Sequence, residues 1–438
     1  MTERLPTPPP TGMRDVLPDE VELRDLAAQT ILRVYRSYGF RRIETPALEH
    51  LRLLTSGEGG ENEKLIYKVM KRGDDLRAAL ERGGDELADL GLRFDLTVPL
   101  VRYYANNHAR LPNPLKAIQI GPVWRAERPQ KGRFRQFTQC DIDVLGLGDP
   151  IVDVELILAT SDALVALGLA SLTVRINDRR ILSGIARACG FAADRQGGFF
   201  ITFDKLDKIG RAGVVQELRA SGHDARAVTT FESMLDVLDP KTATLDSALK
   251  AIASTDPDVT AGAGALTAIV RAVDGALPPG SRLAFDPTLV RGMGYYTGPI
   301  FEISAADYPS SIAGGGRYDR MIGRVLGRHV PASGFSIGFE RLISILEELP
   351  AARASLEATT GERVALVVDA GDADLAGAVG VAQRLRREGH LVSLEVRRKN
   401  WKRQAEELAA HGFSGWVSYN DGEPWRVRSL ARPDGGTR

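Results

Sequence analysis

Five short segments carry the residue types from which a site for phosphates and a charged small molecule could be built. Arg291-Gly-Met-Gly-Tyr-Tyr-Thr-Gly298 joins a fixed positive charge to two phenol rings, Tyr295 and Tyr296, and to glycines that let a ligand approach the backbone. Gly121 to Phe137 gathers Arg125, Arg128, Lys131, Arg133 and Arg135 around a Pro-Gln-Lys-Gly turn, with Glu127 and Gln130 among them. If its flanks pair as strands, Arg125, Arg133 and Arg135 project from one sheet face at period two and offer a surface for phosphates. A solvated hairpin tip has the same composition, so the turn by itself leaves both readings open.

Two segments set carboxylates beside neutral polar groups. In Leu92-Arg-Phe-Asp-Leu-Thr-Val-Pro-Leu-Val-Arg102 an extended backbone puts Asp95 and Thr97 on one face, opposite Phe94, Leu96 and Val98, where an ammonium group fits. A strand-end acid in an ordinary salt bridge reads the same way. Gln139-Cys-Asp-Ile-Asp143 also alternates, with Gln139, Asp141 and Asp143 on one side and Cys140 and Ile142 on the other, as on any half-exposed strand. The fifth feature is Ala313-Gly-Gly-Gly-Arg-Tyr-Asp319, followed by a strand over Ser333 to Gly338 that leads into a helix with Arg341 in its first turn. An arginine there opposes the helix dipole, and a bound phosphate or nucleotide would remove the conflict. The glycine run is neither a P-loop nor a strand-anchored Gly-x-Gly-x-x-Gly.

The elements that must position these residues can be read from periodicity. Asp19 to Tyr38 has helical spacing and Gly39 supplies a stop, while Phe40 to Pro46 reads as a short strand broken by proline. Short apolar runs between Leu92 and Leu145 predict antiparallel strands, and 151–168 a helix. From 178 to 270 an Ala-, Leu- and Asp-rich stretch predicts a helical insertion, before strands resume at Arg282 to Phe285 and Pro299 to Ile303. The core, 12–177 with 271–348, is therefore discontinuous. Residues 349–362 read as a linker. Beyond it Val364 to Val368, a helix over Asp374 to Arg387, Leu391 to Val396, a helix over Trp401 to Ala410, and Gly415 to Ser418 alternate as βαβαβ, the order of a small parallel-sheet domain over 363–438. Residues 1–11 and the last fifteen or so read as flexible ends.

Composition narrows the class. A chain of 438 residues exceeds the usual single core, so two or three domains are expected. With 43% apolar and 26% charged residues, and no window near the ~18 apolar residues of a membrane span, it reads as soluble. The amino terminus has no signal core, which predicts a cytoplasmic protein. Cys140 and Cys189, the two cysteines, lack metal-ligand spacing, so no metal site is expected. Lys plus Arg (57) equals Asp plus Glu (57), so any RNA contact must come from local patches.

In order and spacing the five segments resemble the histidyl-tRNA synthetases of the class II aminoacyl-tRNA synthetase group, over residues 12–412. Gly121 to Phe137 resembles that group's motif 2, Gly334 to Leu342 its motif 3, and Ile43 to Glu49 its motif 1 at a dimer interface. Arg291 to Gly298 and Ala313 to Asp319 are similar to two segments that mark the histidyl branch. Gly12 to Pro18, Glu63 to Tyr67 and Arg93 to Leu100 add to the likeness.

The resemblance implies an α+β antiparallel-sheet catalytic core with a helical insertion and a carboxy-terminal anticodon-binding-like domain. It implies a homodimer with histidine, ATP and Mg2+ as ligands and histidine tRNA as acceptor. Arg125 and Arg341 would clamp ATP with Glu127 and Arg133, and Arg291 would neutralise charge at the α-phosphate, making Arg291 and Arg125 the catalytic pair. Asp95, Thr97 and Gln139 would bind the α-amino group. Asp143, Tyr296 and Tyr318, with Tyr295 beside them, would read the imidazole. Gln130, Lys131 and Arg135 would face the acceptor stem, and Arg397, Arg398, Lys399, Trp401 and Lys402 the anticodon end. One departure is Gly294, where the family usually carries an acid that could steady Arg291. It leaves open a paralogue that activates histidine for an acceptor other than tRNA. A noncatalytic regulatory subunit of histidine biosynthesis on the same core is the remaining alternative.

Overall fold

Gly39, at φ +83°, ends the first helix at the position the sequence predicts. In the computed structural model that helix, α1 (Pro18–Ser37), opens with proline in its first turn. Asp19 and Glu20 stand at its positive end and Arg36 at its negative end. The structure describes residues 7–56, 64–83, 87–129, 134–253, 255–292, 294–306, 308–349, 362–369, 374–421 and 425–430. Of the expected flexible ends and linker, 1–6, 350–361 and 431–438 lie outside the described residues.

The chain forms two compact units, Met1–Glu348 and Leu349–Arg438. After α1 come β1 (Arg41–Arg42), β2 (Leu48–His50), α2 (Leu51–Leu54), β3 (Lys68–Met70), α3 (Gly73–Glu81), β4 (Ala88–Leu92) and α4 (Thr97–Asn107). Next are β5 (Leu115–Trp124), β6 (Gln136–Leu145), α5 (Ile151–Ala166) and β7 (Leu172–Asp178). A helical stretch follows: α6 (Arg179–Cys189), α7 (Gln196–Phe203), α8 (Leu206–Ala220), α9 (Ala225–Met234), α10 (Leu245–Ile252) and α11 (Pro257–Val273). The unit closes with β8 (Arg282–Phe285), β9 (Pro299–Ala305), β10 (Tyr308–Arg317), α12 (Arg320–Leu326), β11 (Ala332–Ile337) and α13 (Phe339–Glu348).

An eight-stranded sheet runs β1-β5-β6-β11-β10-β9-β7-β8. Its inner pairs are antiparallel, and only β1 on β5 and β7 on β8 are parallel, which makes the unit α+β. The helical stretch therefore leaves the sheet at β7 and returns to the next strand. Cys140, Ile142 and Val144 of β6 are fully buried. Tyr35 of α1 lies near both Cys140 and Thr160 of α5, so these two helices cover that face.

Local structure departs from the expectation in four places. The strand at Phe40 to Pro46 shrinks to the two residues of β1. Asp95 and Thr97 do not lie on an extended run, because Asp95 Oδ1 accepts the backbone N–H of Val98 (3.0 Å) and turns the chain into α4. Pro99 sits in the first turn of that helix, where its missing N–H removes no helical bond. The glycine run, which carries no strand signal of its own, forms the last part of β10. A Cβ on Gly315 would meet the carbonyl oxygen of Gly334 at 2.1 Å.

The second unit holds β12 (Arg363–Val368), α14 (Leu375–Arg387), β13 (Leu391–Val396), α15 (Trp401–Ala410), β14 (Gly415–Ser418) and β15 (Arg428–Ser429). β13 and β14 flank β12 in parallel, as βαβαβ order requires, giving an α/β unit. The fourth departure is here: β15 pairs antiparallel with β14 inside the segment that reads as a flexible end.

A buried ion pair ties α5 to the glycine-bearing strands. Arg317 Nη2 donates to Asp153 Oδ2 (2.7 Å) and Ser333 Oγ to Asp153 Oδ1 (2.7 Å), with both charged groups almost fully enclosed. Removing one partner strands the other charge, so Asp153→Ala should destabilise this unit by about 3–5 kcal/mol, read from a denaturant titration. A loss under about 1 kcal/mol would mean that Asp319, 3.6 Å from Arg317 Nη1, suffices on its own.

Candidate functional site

The face of β6 opposite Cys140 opens on a cavity of about 1030 Å³ in the first unit. Gln139, Asp141 and Asp143 reach it from β6, Asp95 and Thr97 from the start of α4, and Tyr318 from the end of β10. Tyr295 and Tyr296 come from the loop before β9, their ring centroids 4.4 Å apart. All seven side chains expected around histidine thus line one cavity, with Arg125 beside them. Asp95 and Thr97 arrive on a helix start instead of a strand. Gly334 is needed behind Asp143, because a Cβ there would meet Asp143 Oδ1 at 2.0 Å.

These groups are mostly acceptors in search of a cation. Gln139 Oε1 is buried and has no hydrogen-bond partner. Burial pushes the Asp95 carboxyl up. Burial, reinforced by the charge of Asp143, pushes Asp141 well above the carboxylate range, although the Ser336 hydroxyl donates to it. Asp143 is raised to about 7, chiefly by burial, while the Tyr318 hydroxyl donates to it at 2.6 Å. Carboxyls this close repel when ionised, and a bound ammonium or imidazolium relieves the repulsion. Asp141 and Ser336 are absent from the expected set. The alternation of Gln139 to Asp143 already signals Asp141, whereas Ser336 comes from β11, next to β6 only in the fold.

The cations are held by the protein itself. Arg125 Nε donates to the carbonyl of Phe94 (3.0 Å), and its guanidinium lies 5.0 Å from the Phe137 ring centroid. Arg291 Nε donates to Glu302 Oε2 (2.6 Å) and its Nη2 to Ser311 Oγ (2.6 Å). The same Glu302 pairs with Arg175, and Asp286 takes the other side of Arg175 at 3.0 Å. Gly314 makes room for this arrangement, since a Cβ there would lie 2.7 Å from Arg291 Nη1. Arg291 therefore takes its carboxylate from Glu302 of β9. Arg341 Nη1 donates to the carbonyl of Ser311, so both arginines converge on one β10 residue. That carbonyl partly answers the dipole conflict, and Glu340 beside Arg341 supplies first-turn acid. Arg291, Arg341 and Glu127 are set back from the residues that line the cavity.

Gln130, Lys131 and Arg133 lie outside the described residues. Arg135 stands opposite Arg125 across the hairpin, its carbonyl accepting the Arg125 N–H (2.8 Å). Its guanidinium turns to the carbonyls of Glu127 (3.0 Å) and Thr11 (3.2 Å). In the second unit Arg398 and Arg403 pair with Glu407 at 2.6 and 3.0 Å. Trp401 packs on Trp416, ring centroids 4.4 Å apart, against the cluster of Ala365, Leu408 and Leu430, with Arg397 over it at 5.3 Å. Its ring is a wall of that core rather than a free stacking platform. Lys399 and Lys402 are exposed.

A family model described as histidyl-tRNA synthetase matches residues 12–342. Among curated relatives, a histidine--tRNA ligase from Leifsonia xyli is 48% identical over 421 residues, covering 94% of this chain and 95% of that protein. One from Christiangramia forsetii is 36% identical, covering 88% and 86%. A crystal structure of histidyl-tRNA synthetase from Nostoc sp. PCC 7120 superposes with a TM-score of 0.77 at 27% identity, covering 98% of this chain and 95% of that one. An ATP phosphoribosyltransferase regulatory subunit/histidyl-tRNA synthetase from Bacillus halodurans shares the fold, with a TM-score of 0.74 at 19% identity over 95% and 99% of the two chains.

The raised Asp143 has a measurable consequence. Because the folded state holds its proton up to about 7 against an ordinary 3.8, the stabilisation is full below the ordinary value and is lost as pH rises through 7. Asparagine carries no such charge. Asp143→Asn should therefore raise the melting midpoint of the ligand-free protein by a few degrees at about pH 8 and by about a third as much at about pH 5. Equal shifts at both pH values would assign the effect to packing instead.

Proposed function

Because the chain belongs to the histidyl-tRNA synthetase family, we propose that it activates histidine with ATP and transfers it to histidine tRNA. The observation that carries this reading is the convergence of Asp95, Gln139, Asp141 and Asp143 on one cavity that Arg125 also lines. Such a set suits a molecule with a cationic amino end, a ring that donates from nitrogen, and a carboxylate directed at phosphate.

In the first half-reaction a histidine carboxylate oxygen attacks the α-phosphorus of ATP. The bond from the α-phosphorus to the α,β-bridging oxygen breaks, and pyrophosphate leaves with its electron pair. No side chain needs to act as nucleophile. Asp95, Thr97 and the unpartnered Gln139 Oε1 hold the α-ammonium, with Asp141 as a further acceptor. Asp143, oriented by the Tyr318 hydroxyl, accepts from the imidazole N–H, and the ring of Tyr296 closes the pocket. Polar readout of this kind rejects an apolar isostere strongly, because the buried acceptors would be left unpaired.

Arg291 stabilises the charge that builds at the α-phosphate, and its double anchorage on Glu302 and Ser311 means little reorganisation is needed at that moment. Arg125, Arg341, Glu127 and Arg133 hold the nucleotide. Among the described residues no group of three or more acidic, histidine or cysteine side chains is arranged to hold a metal, so Mg2+ enters this reading as a counter-ion of the triphosphate. In the second half-reaction a terminal ribose hydroxyl of the tRNA attacks the histidyl carbonyl and AMP leaves. Lys131, Gln130 and Arg135 serve the acceptor stem, and Arg397, Arg398, Lys399, Trp401 and Lys402 the anticodon end.

The same reading includes a homodimer acting in the cytoplasm. Leu48 and Met70, exposed on the small β2-β4-β3 sheet, are apolar surface that a second copy would cover. Among the described residues no helix is long and apolar enough to cross a membrane, and Cys140 and Cys189 are buried free thiols suited to a reducing compartment.

Histidine-dependent exchange of pyrophosphate into ATP, followed by charging of histidine tRNA, tests the reading. Exchange without charging would favour an acceptor other than tRNA, and no exchange would favour the regulatory alternative. Arg291→Ala should lower the exchange rate about 10²- to 10³-fold while histidine affinity stays within about threefold. A loss confined to affinity would contradict the role given to Arg291.

A further inference from the structure

The cavity continues past the histidine acceptors into a branch between α6 and the α7–α8 pair. Arg179, Ser183 and Arg187 stand there at helical spacing on one face of α6, with Ile201 and Lys205 across from them. Neighbouring cations in this branch are already matched. Arg180 pairs with Asp178 at 2.7 Å, Arg187 with Asp256 at 2.5 Å, and Lys205 with Glu217 at 2.5 Å.

Arg179 is not matched. Among the described residues no carboxylate lies within ion-pair distance of it, and its Nη1 is buried without any hydrogen-bond acceptor. Its guanidinium lies 3.8 Å from the Phe200 ring centroid, which fixes the plane of the group while taking water from it. Burial alone lowers its pKa to about 10. As the first residue of α6 it also stands where the helix dipole disfavours a cation. Burial and the helix dipole oppose a positive charge at this point, while the face of the Phe200 ring favours it. The fold nonetheless ties it in place, because the Arg179 N–H donates to the carbonyl of Gly298 at 2.9 Å, at the end of the segment that carries Tyr295 and Tyr296.

A half-buried cation on the wall of a cavity, with no ion-pair partner among the described residues, is completed by an anion from outside the chain. The branch is a groove, not a closed pocket for a free ion. Lys208 lines it as well, and Arg320 and Arg324 of α12 line the same cavity. That layout fits an extended polyanion whose end has to reach the histidine pocket. Resting on the function proposed above, we infer that Arg179 binds a backbone phosphate of the single-stranded acceptor end of tRNA and seats that end in the groove between α6 and α7. Phosphate geometry suits a planar fork donor, and sequence-independent seating of a strand end is what backbone contact provides.

Full-length Arg179→Gln and Arg179→Lys proteins test this. In Arg179→Gln, tRNA-independent pyrophosphate exchange should stay within about twofold of the parent, while kcat/KM for tRNA falls about tenfold or more. The slope of log affinity for tRNA against log salt should shrink by about one, as expected for one lost phosphate contact. Arg179→Lys should recover part of the charging. The melting midpoint of ligand-free Arg179→Gln should equal or exceed that of the parent, since an unpaired buried cation has been removed. Exchange lost in step with charging would place Arg179 on ATP or pyrophosphate, and an unchanged salt slope would remove it from tRNA; either result overturns the inference. A midpoint several degrees lower would make the residue structural and overturn it as well. If the parent itself neither exchanges nor charges, the proposed function fails, and the salt-slope comparison still decides the role of Arg179.

Discussion

The pleat of β6 is the constraint on which most of the first unit depends. Side chains alternate across a strand, so placing Cys140, Ile142 and Val144 against α1 and α5 necessarily sends Gln139, Asp141 and Asp143 to the other side. The two faces are not independent choices. A slip of one residue would bury three polar side chains under the helices and empty the cavity of its acceptors. The register with β5 and β11 prevents that slip, pairing Asp143 with both Ala117 and Gly334. Small residues on both sides leave room for a carboxylate that burial has already made difficult to ionise.

The same logic of shared strands explains how the cations are set. Glu302 of β9 stands between Arg175 of β7 and Arg291, and Ser311 of β10 receives both Arg291 and Arg341. Three strands and a helix start therefore agree on the position of the charge proposed to act at phosphate. Glu302 is held below the ordinary glutamate range because the two arginines more than offset its burial. Asp141 and Asp143 of β6 are pushed up and this acid of β9 is pushed down, so one sheet holds carboxyls of opposite tendency on strands that β11 and β10 separate. Stability is given up at the first place and gained at the second.

The amino-terminal segment adds a brace to this arrangement. Arg24 of α1 pairs with Glu340 at 2.7 Å, and Glu340 also accepts the backbone N–H of Thr138 at 2.9 Å. Arg135 N–H donates to the carbonyl of Gly12 at 2.7 Å, and Gly12 is packed so closely on Arg135 and Pro129 that a Cβ would clash at 2.8 Å. The base of the β5–β6 hairpin and the start of α13 are thus tied to one helix, which keeps Arg125 and Arg341 in step without direct contact between them.

Local rules acting on local residues made much of this legible in the sequence. Helical spacing with a glycine stop marked α1, alternation marked β6, and the β-α-β-α-β order marked the parallel sheet of the second unit. The seven residues that line the cavity beside Arg125 could be named because each lies in a short segment whose types suit a polar ligand. What the sequence could not determine depends on partners distant in the chain. Asp95 turns a run that looked extended into a helix start, since a side-chain hydrogen bond to Val98 outweighs apparent alternation. Gly314 to Gly316 serve strand packing and make room for the Arg291 guanidinium, 20 or more residues away. Glu302, Ser311 and Ser336 give no motif signal, because their value lies in what the sheet brings beside them. Arg179 reads as one more basic residue in a helical insertion; only the folded chain reveals that its neighbours have acids and it has none. Residue type and spacing specified which groups are available, and tertiary packing alone decided which charges are paired, because pairing is a property of distances that the linear order does not contain.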